Sequence, residues 1–219
     1  MGRSWPKDAA TQDHCGNGAH FNCSVWDASG TTNLFADPGR PDGFSDFGRH
    51  WVAGLLKNAD AMTALVCPTV NCYRRLHGPW APKRFAWGVD DRHATFRVKN
   101  MGEPALTWVE NRVPSGLANP YLALAANIAA GLDGVLNRLE PPPPGGLEGG
   151  PRVLADLEDS LKALEASSVM REALGQEFVE YFCCLKREGE IKQLPKSDMA
   201  IEDDAEAFQE EVLMYGRLM

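Results

Sequence analysis

No apolar run in this chain approaches the ~18 residues that a membrane span needs, and no signal peptide opens it. The sequence therefore predicts a cytoplasmic protein without a membrane partner. Metal-type and disulfide-type cysteine spacings are missing too. Cys15, Cys23, Cys67, Cys72, Cys183 and Cys184 fit neither a zinc site nor a disulfide ladder, and read as reduced side chains in apolar surroundings. Basic residues are outnumbered, 22 Lys+Arg against 30 Asp+Glu, for a net charge of −8. That balance argues against a nucleic-acid partner, because neutralising phosphates needs clustered cations. No internal repeat marks a solenoid or propeller.

What is present is a 219-residue chain, 44% hydrophobic and 24% charged, enough for one sizeable core or one and a half domains. Its charge is unevenly placed. Residues 71–112 hold eight Lys/Arg and four Asp/Glu, so this window carries about +4 inside an acidic protein. A local cationic patch of that kind points to a small anionic ligand.

The pattern of elements is α+β. Over 45–66, Ser45 is a plausible cap, and Phe47, Trp51 and Leu55 recur every four residues, which predicts one amphipathic helix. From about 84 to 113 the runs RFAWGV, HATFRVK and LTWVENRV alternate and are separated by turn residues, which predicts antiparallel strands. ANPYLALAANIAAGLDGVLNRL predicts a helix capped by Asn119 with Pro120 in its first turn. Its near absence of charge predicts deep burial. EPPPPGGLEGGP predicts an irregular, exposed connection. Three acidic amphipathic segments follow, around 153–167, 168–188 and 203–217.

Four clusters could carry chemistry. In HCGNGAHFNCSVW a glycine turn feeds a strand that places His20, Asn22 and Ser24 on one face and Phe21, Cys23 and Val25 on the other. NCYRRLHGPWAP offers Arg75, with Arg74 read as a surface cation. DDRHATFRV holds Arg92 and Arg97, five apart, so one belongs to the turn and the other to the strand. WVENRVP sets Glu110 and Arg112 on one face with Trp108, opposite Val109, Asn111 and Val113. Separately, each is an ordinary solvated strand or ion pair. Together they offer an imidazole and a carboxylate suited to Mg²⁺ or Mn²⁺, with guanidinium forks suited to carboxylate and phosphate. Two metal ligands are too few for a complete site.

In order and spacing, GNGAHFNCS, NCYRRL, WGVDDRHATFRV, ENRV and ANPYLALAANIAAGLDGV resemble the catalytic region of the glutamine synthetase family over roughly residues 14–217. Within it, HWVAGLLKNADAMTALVCPTVNCYRRL and REALGQEFVEYFCCLK resemble the lengsin-like branch. The resemblance implies an antiparallel sheet packed with helices. It divides the chain into the C-terminal part of the catalytic domain (1–140), a Pro/Gly-rich loop (141–152) and the closing helices of that domain (153–219). The small N-terminal β-grasp domain and the upstream metal-binding glutamates are expected to lie outside it.

The implied activity joins ammonia or an amine to the γ-carboxylate of glutamate, with ATP as a substrate, through a γ-glutamyl phosphate, in a homo-oligomeric ring. His20 and Glu110 match the metal ligands. Gly16, His20, Arg75 and Arg112 match the glutamate site. Asn22, Ser24, Arg92 and Arg97 match the nucleotide site, and Arg75, Arg92 and Arg112 the catalytic set. Two departures stand out. Trp80 replaces the acidic residue of a flap that helps deprotonate ammonium, which favours a bulkier or less polar amine or no turnover, and Cys15 replaces a common asparagine. This chain by itself is expected to have negligible activity. The alternative implied by the same branch is a non-catalytic structural protein associated with cytoskeletal filaments.

Overall fold

The computed structural model describes residues 16–78 and 80–194. Cys15 and the acidic segment at 203–217 lie outside the described residues.

Four short strands form one sheet in the order β1-β4-β3-β2: β1 (Phe21–Cys23), β2 (Trp87–Val89), β3 (Phe96–Asn100) and β4 (Thr107–Asn111). β4 runs antiparallel to both β1 and β3, whereas β2 runs parallel to β3, so the sheet is mixed. The cause is the turn after Val89. Asp90 takes a left-handed φ of 51° and its N–H donates to Val98 O at 2.8 Å, so the chain doubles back before β3 begins.

In β4 the alternation TWVEN buries Thr107, Val109 and Asn111 and leaves Trp108 and Glu110 partly open. Asn22 and Arg97 both pair with Glu110, and directly paired residues share a face. The sheet thus has one apolar face, with Phe96, Val98 and Val109 in the core, and one polar face.

The predicted helix at 45–66 divides into α1 (Asp46–Lys57) and α2 (Ala59–Val66) at Asn58. Ser45 caps α1 by accepting from Gly48 N–H at 3.0 Å. Asn58 breaks the run because its side chain donates to Gly54 O at 3.0 Å and to Asp133 Oδ2 at 2.9 Å. α3 (Val70–His77) carries the two adjacent arginines.

α4 (Pro120–Leu136) is capped by Asn119, which accepts from Tyr121 and Leu122 N–H. Its burial is one-sided. Ala123, Ala126, Ala130, Gly131 and Gly134 pack inward, while Tyr121, Leu124, Ile128, Leu132 and Leu136 form an exposed stripe. Small residues let the inner face approach α1 closely, and lack of charge on the outer face does not require burial.

The Pro/Gly-rich connection is irregular but pinned along β2. Gly145 N–H donates to Trp87 O, and Trp87 Nε1 to Pro142 O at 2.7 Å. After it come α5 (Leu157–Ala166), α6 (Ser168–Leu174) and α7 (Gln176–Lys186), the last two separated at Gly175 (φ 89°) and followed by a π-helical turn at Arg187–Ile191. Leu157, Leu161 and Leu164 of α5 join Met62 and Leu65 of α2 in the core. Cys67, Cys72 and Cys183 are buried, while Cys184 is exposed. Among the described residues no helix is long and apolar enough to cross a membrane.

Candidate functional site

The polar face of the sheet collects the sequence-predicted residues. His20 lies just before β1, and its Nδ1 is 2.8 Å from Glu110 Oε1. The other carboxylate oxygen of Glu110 accepts from Arg97 Nη1 at 3.5 Å. Arg97 also pairs with Asp90, and Lys99 Nζ lies 3.0 Å from the same Asp90 Oδ1. Lys99 and Arg97 together hold the Asp90 carboxyl below its ordinary range. Asp90 and Lys99 were not anticipated. Lys99 shares a face with Arg97 at strand spacing, a readable signal, but only the left-handed turn brings Asp90 back over them.

Arg112 follows β4 on the same face, and its Nη1 donates to Ala94 O at 3.4 Å. Burial pulls its pKa down, Glu110 opposes that, and Arg97 and Arg92 add to it. The guanidinium groups are thus close enough to repel one another. Clustered cations of one sign persist in a half-buried site when an anion is to be held there. Arg92 sits in the exposed turn before β3 and Arg97 within β3, as the five-residue spacing requires.

Arg75 comes from α3 rather than from the sheet. It is 8% exposed, carried by α3, and its Nη2 donates to Val113 O, beside Arg112 in the chain. Its Nε is buried without a hydrogen-bond partner among the described residues. The glycine loop covers this side chain. A Cβ on Gly16 would stand 3.2 Å from Arg75 Cβ, and one on Gly18 would stand 3.2 Å from Arg75 Nη1. Ala19 N–H to Pro114 O at 2.9 Å and the bridge between Gly18 and Ser115 fasten the loop to the segment that follows β4. A side chain at either glycine would crowd Arg75 by a few tenths of an ångström, so glycine suits this close approach.

Asn22 and Ser24 continue along β1. Asn22 Oδ1 accepts from Trp108 Nε1 at 2.9 Å, in register with Glu110. Ser24 Oγ accepts from Trp26 Nε1 at 2.9 Å, farther along the strand. Gly16, His20, Arg75, Arg97, Glu110 and Arg112 are therefore brought together, Asn22 and Arg92 flank them, and Ser24 is the most peripheral. Trp80 is 82% exposed and has a left-handed φ of 70° in the loop after α3.

The imidazole and carboxylate of His20 and Glu110 fit a hard divalent cation as two of its ligands. Among the described residues no group of three or more His, Cys, Asp or Glu is placed to hold a metal, so this pair fits part of a shell.

Comparison with known proteins gives a consistent picture. The family profile for the glutamine synthetase catalytic domain matches residues 6–204. A glutamine synthetase of Rhizobium meliloti (strain 1021) is 36% identical over 188 residues, covering 78% of this chain and 42% of that protein. A glutamate–methylamine ligase of Methyloversatilis universalis is 40% identical over 192 residues, covering 78% of this chain and 41% of that protein. Lengsin of Rattus norvegicus is 34% identical over 187 residues, covering 78% and 32%. The chain thus spans less than half the length of these relatives. Among solved structures, ligand-free GmaS superposes with a TM-score of 0.74 at 30% identity, covering 93% of this chain and 47% of that one, and a GmaS/ADP complex matches equally well.

Proposed function

The chain belongs to the glutamine synthetase catalytic-domain family, and from that premise we propose that it is the C-terminal catalytic portion of an ATP-dependent ligase that joins glutamate to ammonia or an amine. The observation that carries the reading is the convergence of His20, Glu110, Arg97 and Arg112 on the polar face of the sheet, with Arg75 of α3 packed beneath the adjoining glycine loop. A scaffold has no physical need for a buried guanidinium with an unused donor beside repelling arginines.

In this reading the γ-carboxylate of glutamate attacks the γ-phosphorus of ATP, ADP leaves, and the amine then attacks the acyl carbon of the γ-glutamyl phosphate and expels phosphate. Gly16 and Arg75 receive the glutamate, with Arg75 and Arg112 on its carboxylate and on the transferred phosphate. Fixed guanidinium groups stabilise charge developing on that phosphate without reorganising. Arg92, Arg97, Asn22 and Ser24 face the nucleotide. His20 and Glu110 would hold Mg²⁺ or Mn²⁺, which when bound offsets the charge of the phosphate oxygens; the remaining ligands are expected from other carboxylates of the full protein, from phosphate and from water. Trp80 in place of a flap acid favours a bulkier or less polar amine, and the likeness to a glutamate–methylamine ligase supports an amine acceptor.

A second reading, a lengsin-like structural protein that binds cytoskeletal filaments, is favoured by the likeness to lengsin and by the exposed, left-handed Trp80 in the flap position. Calorimetric titration with Mn²⁺ and ADP separates the two. The ligase reading expects weak binding of both, with the Mn²⁺ event lost in His20→Ala; absence of both events in the native chain supports the structural reading. Negligible γ-glutamyl transfer is expected from the 219-residue chain alone.

A further inference from the structure

Two thiols that the ligase reading does not use lie directly behind Arg75. Cys67 ends α2 and Cys72 stands in the first turn of α3, and only Pro68–Asn71 separate them. Both are fully buried, one on each side of the short turn that joins α2 to α3. Cys72 Sγ is also 2.9 Å from Thr69 Oγ1 and 3.1 Å from Ser115 Oγ. Cys67 Sγ donates to Val113 O at 3.2 Å and lies 3.7 Å from Arg75 Nη2, which donates to that same carbonyl. The pair therefore shares its surroundings with the guanidinium of the candidate site and with the Ser115 that anchors the glycine loop.

We propose that Cys67 and Cys72 are a redox pair, converted by hydrogen peroxide into a disulfide that withdraws Cys67 from Arg75 and Cys72 from Ser115. The two sulfurs sit in different surroundings, Cys67 against a carbonyl and a guanidinium, Cys72 against two hydroxyls. Burial pushes the Cys72 thiol up, but hydrogen bonds from Cys67, Ser115 and Thr69 together outweigh it and bring it down to about 6. Burial and the neighbouring Cys72 push the Cys67 thiol up. In this proposal Cys72, whose sulfur lies against the hydroxyls of Thr69 and Ser115, attacks as the thiolate and Cys67 resolves. In the first step Cys72 S⁻ takes one oxygen of the peroxide, the O–O bond breaks, and the leaving hydroxide is protonated to water, leaving a sulfenic acid. In the second, Cys67 sulfur attacks Cys72 sulfur, the S–O bond breaks, and the hydroxyl departs as water with the Cys67 proton. Two thiols and one peroxide give one disulfide and two waters. Peroxide is close to water in size, so the local openings that admit solvent to a buried site also admit it.

The chemistry of the pair stands on its own geometry; its effect on ligand binding rests on the reading of Arg75 as a glutamate-binding residue. The test treats the native chain with peroxide, blocks remaining thiols with iodoacetamide under denaturing conditions, and weighs the tryptic peptide Asn58–Arg74, which holds both cysteines. The expected product carries no alkyl groups and is two hydrogens lighter, regains both thiols with dithiothreitol, and does not form in Cys72→Ser or Cys67→Ser. Oxidation confined to exposed Cys184 overturns the proposal, as does over-oxidation of Cys72 with Cys67 still free. Calorimetry with glutamate and Mn²⁺ then reads the coupling: affinity is expected to fall at least tenfold on oxidation of the native chain and to be unchanged by peroxide in Cys72→Ser. Unchanged affinity in the disulfide form overturns the coupling. Failure of the reduced chain to bind glutamate overturns the reading of Arg75 while leaving the mass result to judge the pair.

Discussion

At the scale of single residues, His20 and Glu110 were legible because strand alternation is a hard geometric rule and both fall on its polar phase. Arg75 was less so. Its neighbour Arg74, read as a surface cation, is half-buried; the two differ in the fold because the glycine loop packs on Arg75. Asp27 was not legible at all, since an acid in a surface turn is unremarked in sequence. Its Oδ1 accepts from Thr31 N–H at 2.9 Å and Thr32 N–H at 3.0 Å, with Ser29 Oγ donating to Oδ2 at 2.8 Å. The Thr32 amide, then Ser29, lower its pKa from 3.8 to about 2. A depressed carboxyl pKa means that the folded state holds the ionised form. The stabilisation is therefore complete above about pH 4 and lost as pH falls toward 2. Asp27→Asn, which keeps one acceptor but no charge, is expected to melt below the native chain at pH 7 and to converge with it by pH 2. Thermal melts across that range check this, and a constant offset would show the charge to be irrelevant.

Elements were legible where a period was long and a cap was present. α1 and α4 begin at their predicted caps, Ser45 and Asn119. The break at Asn58 and the parallel pairing of β2 depend on tertiary partners, Asp133 in the first case and Val98 in the second, that no local window contains. The glycines of α4 were a signal passed over, because glycine inside a helix costs about 1 kcal/mol relative to alanine and needs a packing reason. The reason is the crossing of α1 and α4. A Cβ on Gly134 would stand 2.0 Å from His50 O, one on Gly54 2.1 Å from Ala130 O, and one on Gly131 2.2 Å from the Trp51 indole. Backbone atoms cannot step aside as a side chain can, so the helices must separate. Gly134→Ala is expected to destabilise the fold by about 3 kcal/mol despite its better helix propensity. Gly189→Ala, whose nearest neighbour is a leucine methyl at 4.0 Å, is expected to change stability little. Urea denaturation of both variants separates a packing penalty from a general effect of removing glycine.

At the scale of the whole molecule, the EGE run at 188–190 lies at the end of the last described helix, far in sequence from the site. Folding places it against the site. Glu190 is buried, and its Oε1 accepts from Val70 N–H at 2.7 Å, at the start of the helix that carries Arg75. Thr69, the capping residue of that helix, makes no side-chain cap hydrogen bond, so the carboxylate from 120 residues away occupies the position a local cap would take. The segment bearing Glu190 is held by Arg187, which grips Glu158 and Glu165 of α5 with paired hydrogen bonds of 2.6–3.1 Å. The closing segment thus reaches the candidate site through a hydrogen bond between Glu190 and the start of α3. Glu190→Ala removes the acceptor of a partly buried N–H at the helix start, an expected cost of about 1 kcal/mol, and its effect should be local before it is global. Amide exchange in α3 is expected to accelerate while α4, which does not depend on this contact, keeps its protection. Glu190→Gln retains an acceptor and should recover most of that protection. Equal acceleration in α3 and α4 would show that Glu190 supports the fold as a whole and has no particular hold on the arginine helix.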